Sequence, residues 1–169
     1  MHPSSLKFLF SLIILIYSLG SQSSTLFEDS KARGINQTCS SYLGQIEESY
    51  ELNGLNITFA HSTNPEDFPS LHVSTQKYNN GASSFSATLT PDGEYCYVSA
   101  TYITSVNNQT CKEIEEIKVK ENNNLQVANY LEGDYSIISP PDNSYQIILT
   151  SAGNQNCVIT ETRMMWPGR

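Results

Sequence analysis

Two stretches of the chain alternate between apolar and polar residues, and each runs through a turn into a further strand-like run. A period of two is typical of a strand with one buried face, and Gly-containing turns join such strands into hairpins. The turns are Pro91-Asp92-Gly93 and Ala152-Gly153-Asn154. The positions that share one face before these turns are Phe85, Ala87 and Leu89 in the first hairpin and Tyr145, Ile147 and Leu149 in the second.

A helical pattern follows each of two identical tetrapeptides, Asn36–Cys39 and Asn108–Cys111. Apolar residues then recur at the spacing of one helix face. They are Leu43, Ile46 and Tyr50 in the first segment and Ile114 and Ile117 in the second. The pattern therefore predicts one helix after each tetrapeptide.

Capping chemistry places the predicted helix ends. Thr110 and Glu113 have the spacing of a capping box, and Thr38 is expected to cap the first helix in a weaker version. Cys39 and Cys111 would then be the first residues of their helices. Gly54 is expected to end the first helix, because glycine adopts the left-handed conformation common there.

Shorter runs rich in apolar and β-branched residues predict further strands between each helix and its hairpin. They are Leu55–Ala60 and Leu71–Thr75 in the first half, and Tyr130 and Asp134–Ser139 in the second. Loops are predicted at 62–69, 78–82, 122–124 and 140–144.

The order of these features repeats along the chain. The motif Ser, aromatic, three residues, Leu-Thr, two residues, Gly occurs from Ser84 and again from Ser144, 60 positions later. We predict an α+β fold made by internal duplication of a helix plus a three- to four-stranded antiparallel sheet, stapled by two disulfides. The repeats would span 24–106 and 107–169 and fuse into one globular domain, because each then covers the other's sheet edge.

The first 23 residues have the pattern of a secretory signal peptide. Lys7 precedes the apolar run Phe8–Leu19, and small polar residues follow, with cleavage expected after Gly20 or Ser23. The apolar run is shorter than the roughly 20 residues that span a bilayer. We therefore expect a periplasmic or secreted protein with no stable membrane anchor once the signal is removed.

All four cysteines follow this segment, and an even number in an exported chain predicts disulfides. The repeat allows two pairings, Cys39–Cys96 with Cys111–Cys157, or Cys39–Cys157 with Cys96–Cys111. The first is preferred, because it joins the start of each helix to the hairpin that the helix covers.

The charge of the chain disfavours several partner classes. The net charge is −8 for the whole chain and becomes −9 once Lys7 is removed. Because no basic cluster exists, nucleic acid is not an expected partner.

Candidate catalytic and metal groups are sparse. The sequence has no G-x-S-x-G motif and no C-x-x-C pair. His61 and His72 flank an irregular, proline-containing stretch with Glu66 and Asp67, which does not fix a metal site. No metal or other cofactor is predicted.

Tyrosines with Ser and Thr provide the candidate binding surface, because this composition suits adaptable protein recognition. The candidate residues on one strand face are Tyr95, Tyr97, Ser99 and Thr101. We predict an exported, non-catalytic binding protein, such as an inhibitor, an immunity-type protein or an envelope accessory protein, whose partner is another protein. Two alternatives remain: a small secreted hydrolase using a carboxylate or His61/His72, and a small-ligand carrier with a pocket between the repeats.

Overall fold

The computed structural model describes residues 24–131, 134–153 and 155–166. The predicted signal peptide lies outside this part of the chain and stays a prediction. Three helices and eight strands are present in the described ranges. The helices are α1 (Leu26–Ala32), α2 (Gln37–Ser49) and α3 (Cys111–Glu121). The strands are β1 (Leu55–Phe59), β2 (Ser70–Tyr78), β3 (Gly81–Asp92), β4 (Tyr95–Asn107), β5 (Gln126–Tyr130), β6 (Tyr135–Ser139), β7 (Tyr145–Ser151) and β8 (Asn156–Met165).

All eight strands form one antiparallel sheet in the order β1-β2-β3-β4-β8-β7-β6-β5. Strands β4 and β8 are neighbours at the centre of the sheet and join β1–β4 to β5–β8. They pair from Val98 opposite Met165 to Asn107 opposite Asn156. The prediction of an α+β fold with an antiparallel sheet is confirmed. The duplication and the boundary between repeats stay predictions.

Both predicted disulfides of the preferred pairing are present. Cys39 of α2 bonds to Cys96 of β4, and Cys111 of α3 bonds to Cys157 of β8. Val106 lies opposite Cys157 and shares a strand face with Cys96, so both disulfides leave the same side of the sheet. Both helices are therefore held on one face, which we call the helix side.

Two separate hydrophobic clusters form the core on the helix side. The larger cluster packs α1 and α2 on β3 and β4, with Phe85, Leu43 and Leu26 completely buried. The smaller packs α3 on β6, β7 and β8. Its buried members are Ile114, Ile138, Ile147, Leu149 and Cys157. The predicted inward positions of both hairpins are confirmed, although Tyr145 is only partly buried.

Helix α1 was not predicted from the sequence. It has only seven residues, and its start is capped by Thr25, whose hydroxyl accepts from Glu28 N, and by a side chain from α2. The buried carboxylate of Glu47 accepts hydrogen bonds from Leu26 N at 2.7 Å and Phe27 N at 3.1 Å. A carboxylate at a helix start satisfies free N–H groups and interacts favourably with the helix dipole.

The start of α2 differs from the prediction. Asn36 is the N-cap, and its Oδ1 accepts from Thr38 N and Cys39 N. Thr38 is therefore inside the helix, and Cys39 is its third residue rather than its first. In α3, by contrast, Thr110 and Glu113 form the predicted capping box and Cys111 is the first helical residue.

The end of α2 also precedes the predicted stop. The helix ends at Ser49, and Glu51 takes the left-handed conformation with φ of 50°. Gly54 is needed for a different reason, because a Cβ there would lie 1.9 Å from Thr75 O. The predicted 78–82 loop is likewise a tight turn, since Tyr78 pairs directly with Gly81.

We expect the Cys111–Cys157 bond to hold α3 in place, because this half has the smaller core. Replacing both cysteines by alanine should lower the free energy of unfolding by about 2–4 kcal/mol. Amide hydrogen exchange should then become fast at Ile114 while Leu43 stays protected. Equal loss of protection at both residues would contradict separate stabilisation of the two halves.

Acid should destabilise the fold through His72. This side chain is completely buried, with its Nδ1 3.2 Å from Thr58 Oγ1 and its Nε2 2.9 Å from Ser70 Oγ. Burial lowers the pKa of His72 from 6.5 to about 4. Between these values the unfolded chain binds a proton that the folded chain does not, so stability falls as pH falls, by up to about 3 kcal/mol. Urea unfolding of His72→Gln between pH 7 and pH 4 should show a flatter dependence of the free energy of unfolding on pH than urea unfolding of the wild type. Equal slopes for the two proteins would contradict this role of His72.

Candidate binding surface

In the part of the chain that the structure describes, no helix packs on the face of the sheet opposite α2 and α3. Its strand side chains alternate with the buried ones, and none of those in the described residues is buried. We call this surface the open face. Serine, threonine, isoleucine and tyrosine dominate it, and the strand pairing aligns them in rows across the sheet.

The open face carries almost no charge. In the described strands its charged residues are Lys77 and Asp92, each near the end of its strand. The chain nevertheless has 17 acidic residues and a net charge of −8. The acidic residues are thus concentrated on helices, turns and the helix side.

The four predicted binding residues all lie on the open face. Tyr95 and Ser99 are exposed, and Tyr97 and Thr101 are partly buried. The structure adds Trp166, whose ring contacts Tyr97 edge to face at a centroid distance of 5.9 Å. Trp166 directly follows β8 in the chain, and the pairing of β8 with β4 brings it beside Tyr97, which no local sequence pattern shows. A role in binding stays a prediction for these residues.

An apolar patch occupies the β1 edge of the open face. Leu55 is 65% exposed and Phe59 is 56% exposed, although both are large apolar side chains. Ile57 lies between them, and Leu71 lies opposite Phe59 on β2. Contiguous apolar groups of this kind are typical of surfaces that contact other molecules.

A polar and aromatic cluster lies on the helix side at the junction of the two halves. The Tyr50 hydroxyl donates to Glu161 Oε1 at 2.5 Å, and Arg163 donates to the same oxygen. The guanidinium lies 5.5 Å from the Tyr50 ring centre and 5.6 Å from that of Tyr145. Burial and the Glu161 carboxylate raise the pKa of Tyr50, so the phenol stays protonated.

A cleft of about 760 Å³ opens beside this cluster. It is bounded by α2, the 142–144 loop, the start of β7 and the end of β8. Three aromatic rings are among the side chains that line it.

The two predicted histidines have separate surroundings. His72 is buried on the helix side of β2 between two hydroxyls. His61 lies on the exposed loop after β1, where its Nδ1 accepts from Asn64 N at 3.1 Å and its ring stacks on Phe68. Among the described residues, no three His, Cys, Asp or Glu side chains are grouped as metal ligands.

Comparison of the chain with protein-family models, curated proteins and solved structures finds no match. Within the described ranges, none of the helices is both long and apolar enough to cross a membrane.

The Tyr50–Glu161 hydrogen bond should contribute to stability, because it links α2 to the sheet of the second half. Tyr50→Phe removes only the hydroxyl and should lower the free energy of unfolding by about 1–2 kcal/mol. Tyr95→Phe is the matched control, since Tyr95 is exposed and its hydroxyl has no partner in the described residues. Equal denaturation midpoints for the wild type and Tyr50→Phe would contradict this role.

Proposed function

We propose that this chain is an exported, non-catalytic binding protein that contacts a protein partner through its open face. The observation that carries the proposal is the wide, uncovered sheet surface with charges only near its ends. Charged groups are depleted at the centres of protein interfaces because desolvating an ion is costly. Tyr, Trp and Met are enriched there. Tyr97, Trp166 and Met164 lie together on this face.

The dimensions of the open face suit a protein partner. Eight strands about 4.8 Å apart make a sheet about 34 Å wide. The central strands have 10 to 13 residues. A surface of this size can supply the roughly 800 Å² that each partner buries in a standard interface. The apolar patch at β1 extends the same surface, so the partner can contact apolar and hydroxyl groups together.

The side chains of this chain give less support to the hydrolase alternative. His61 is occupied by backbone N–H groups of its own loop, and His72 is buried and has a lowered pKa. A general base needs access to the substrate as well as a suitable pKa. His72 lacks this access, and the Nδ1 of His61 already accepts from its own loop.

Two disulfides support export, because such bonds persist mainly in oxidising compartments. Periplasmic or extracellular location is therefore part of the proposal. The bonds also restrict movement of both helices against the sheet, which keeps the open face in one shape before binding and reduces the ordering cost on association.

We also propose that the two halves are copies of one unit. Each half has a helix followed by four antiparallel strands, and in each the disulfide joins the helix start to the second residue of the last strand. Helix α1 would then be an addition to the first copy. The fused sheet gives a binding surface twice as wide as one copy could offer.

Affinity capture from the native envelope or medium, followed by mass spectrometry, should recover a stoichiometric protein partner. Ser99→Arg places a cation at the centre of the open face and should weaken the affinity by about tenfold or more. Ser41→Arg is the matched control, because Ser41 is exposed on α2. Both affinities can be measured by surface plasmon resonance.

Unchanged affinity in Ser99→Arg would contradict use of the open face. Repeated failure to capture a partner, together with turnover of a substrate in a hydrolase panel, would overturn the binding role in favour of an enzyme.

A further inference from the structure

The sheet has a step at one end, and the cleft lies in that step. Tyr145, the first residue of β7, pairs with Arg163 of β8. Beyond that level β8 continues through Met164 and Met165, which pair with β4 on one side only. The space left beside them forms the cleft of about 760 Å³, a volume within the usual range of small-molecule sites.

Aromatic rings from three elements line the cleft. Tyr42 comes from α2, Tyr145 from β7 and Trp166 from the residues after β8. Trp166 is 51% exposed and held by Tyr97 from the open face. Rings presented to solvent in this way offer apolar surfaces on which a ligand can stack.

The two charged side chains that line the cleft each have a hydrogen-bond partner within the protein. Arg163 forms an ion pair with Glu161. Asp142 accepts from Ser144 N at 3.1 Å, and this hydrogen bond lowers the pKa of its carboxyl group. A strongly charged ligand would have to compete with one of these partners, so the cleft favours an uncharged one.

Several uncharged polar groups of the cleft have no hydrogen-bond partner among the described residues. They are the hydroxyls of Tyr42, Tyr145 and Thr162, the side-chain amide of Gln45 and the Nδ2 of Asn143. Hydroxyl groups both donate and accept hydrogen bonds, and side-chain amides provide further donors and acceptors. A complementary ligand therefore carries several groups that can both donate and accept hydrogen bonds.

We propose that this cleft binds a short, uncharged oligosaccharide. A pyranose ring presents C–H groups on its faces, which pack on aromatic rings, and hydroxyls around its edge, which match the unpaired hydroxyl and amide groups. The proposal does not rest on the protein partner, although Trp166 and Met164 belong to both the open face and the cleft. An extended peptide lying along the end of β8 is the competing occupant.

The chain supplies its own reporter, because Trp166 is its single tryptophan and lines the cleft. Neutral hexasaccharides of glucose, xylose and N-acetylglucosamine, in β- and α-linked forms, are titrated into the full oxidised protein. Binding is followed by tryptophan emission and by calorimetry. The charged probes are a hyaluronan hexasaccharide and a chitosan hexamer, and the peptide probe is an extended tripeptide library. At least one neutral sugar should bind at millimolar concentrations or below and shift the emission of Trp166 to the blue.

Tyr42→Ala and Gln45→Ala should each weaken sugar binding, by about tenfold for the loss of the ring. Tyr95→Ala is the matched control, because Tyr95 is an exposed ring outside the cleft and should leave sugar affinity unchanged. Circular dichroism checks that each variant is folded. Conversely, Ser99→Arg should weaken the affinity for the protein partner and leave the affinity for the sugar unchanged. Failure of one proposal can therefore be distinguished from failure of the other.

The proposal is overturned if no neutral sugar binds, if only the charged sugars or the peptides bind, or if both Tyr42→Ala and Gln45→Ala bind as well as the wild type. Binding of a neutral sugar that is lost in those variants and kept in Tyr95→Ala supports it.

Discussion

The pairing of β4 with β8 is the interaction on which the rest of the structure depends. Ten residue pairs, from Val98–Met165 to Asn107–Asn156, join the two halves into one sheet. The pairing removes two strand edges that would otherwise be open to solvent. It also fixes the relative height of the two halves, because the position of every strand beyond β4 and β8 follows from that register. The shared helix side, the continuous open face and the step that forms the cleft are all consequences of it.

The stability of this arrangement comes mainly from one side of the sheet. Three helices cover that side, and both core clusters lie beneath them. A one-sided core is small for a chain of this length, which gives the two disulfides a large share of the stabilisation. The open face in turn contributes through β-branched residues that fit a pleated surface without needing a cover. Hydroxyl groups there remain hydrated, so the face is stable when unoccupied.

Much of the fold follows from local sequence patterns, but the sites follow from long-range register. The period-two alternation from Phe85 to Leu89 and the capping box at Thr110 depend on neighbours in the sequence and could be predicted. The repeated order left two cysteine pairings open, and the preferred one, which joins each helix to its own hairpin, is the one observed. Helix α1 was missed although Thr25 and Glu28 have the spacing of a helix N-cap signal, because only seven residues follow it and Glu47, about 20 residues away, supplies the remaining contacts of its start. Asn36 caps α2 in place of Thr38, because its Oδ1 accepts from both Thr38 N and Cys39 N and asparagine is the better N-cap residue.

The cleft shows the same limit more sharply. Its residues come from α2, the loop before β7 and the end of β8, and no local pattern connects them. Glu161 and Arg163 are two positions apart in the sequence, so a strand places both on one face. The structure adds the rings of Tyr50 and Tyr145, which flank the guanidinium of Arg163. The ion pair occupies this guanidinium, in keeping with the uncharged ligand proposed for the cleft. The open face has its charges only near strand ends in the described residues, and in the cleft Glu161 pairs with Arg163 while Asp142 accepts from Ser144 N. Each charged group of the two candidate surfaces therefore lies near a strand end or has a partner within the protein.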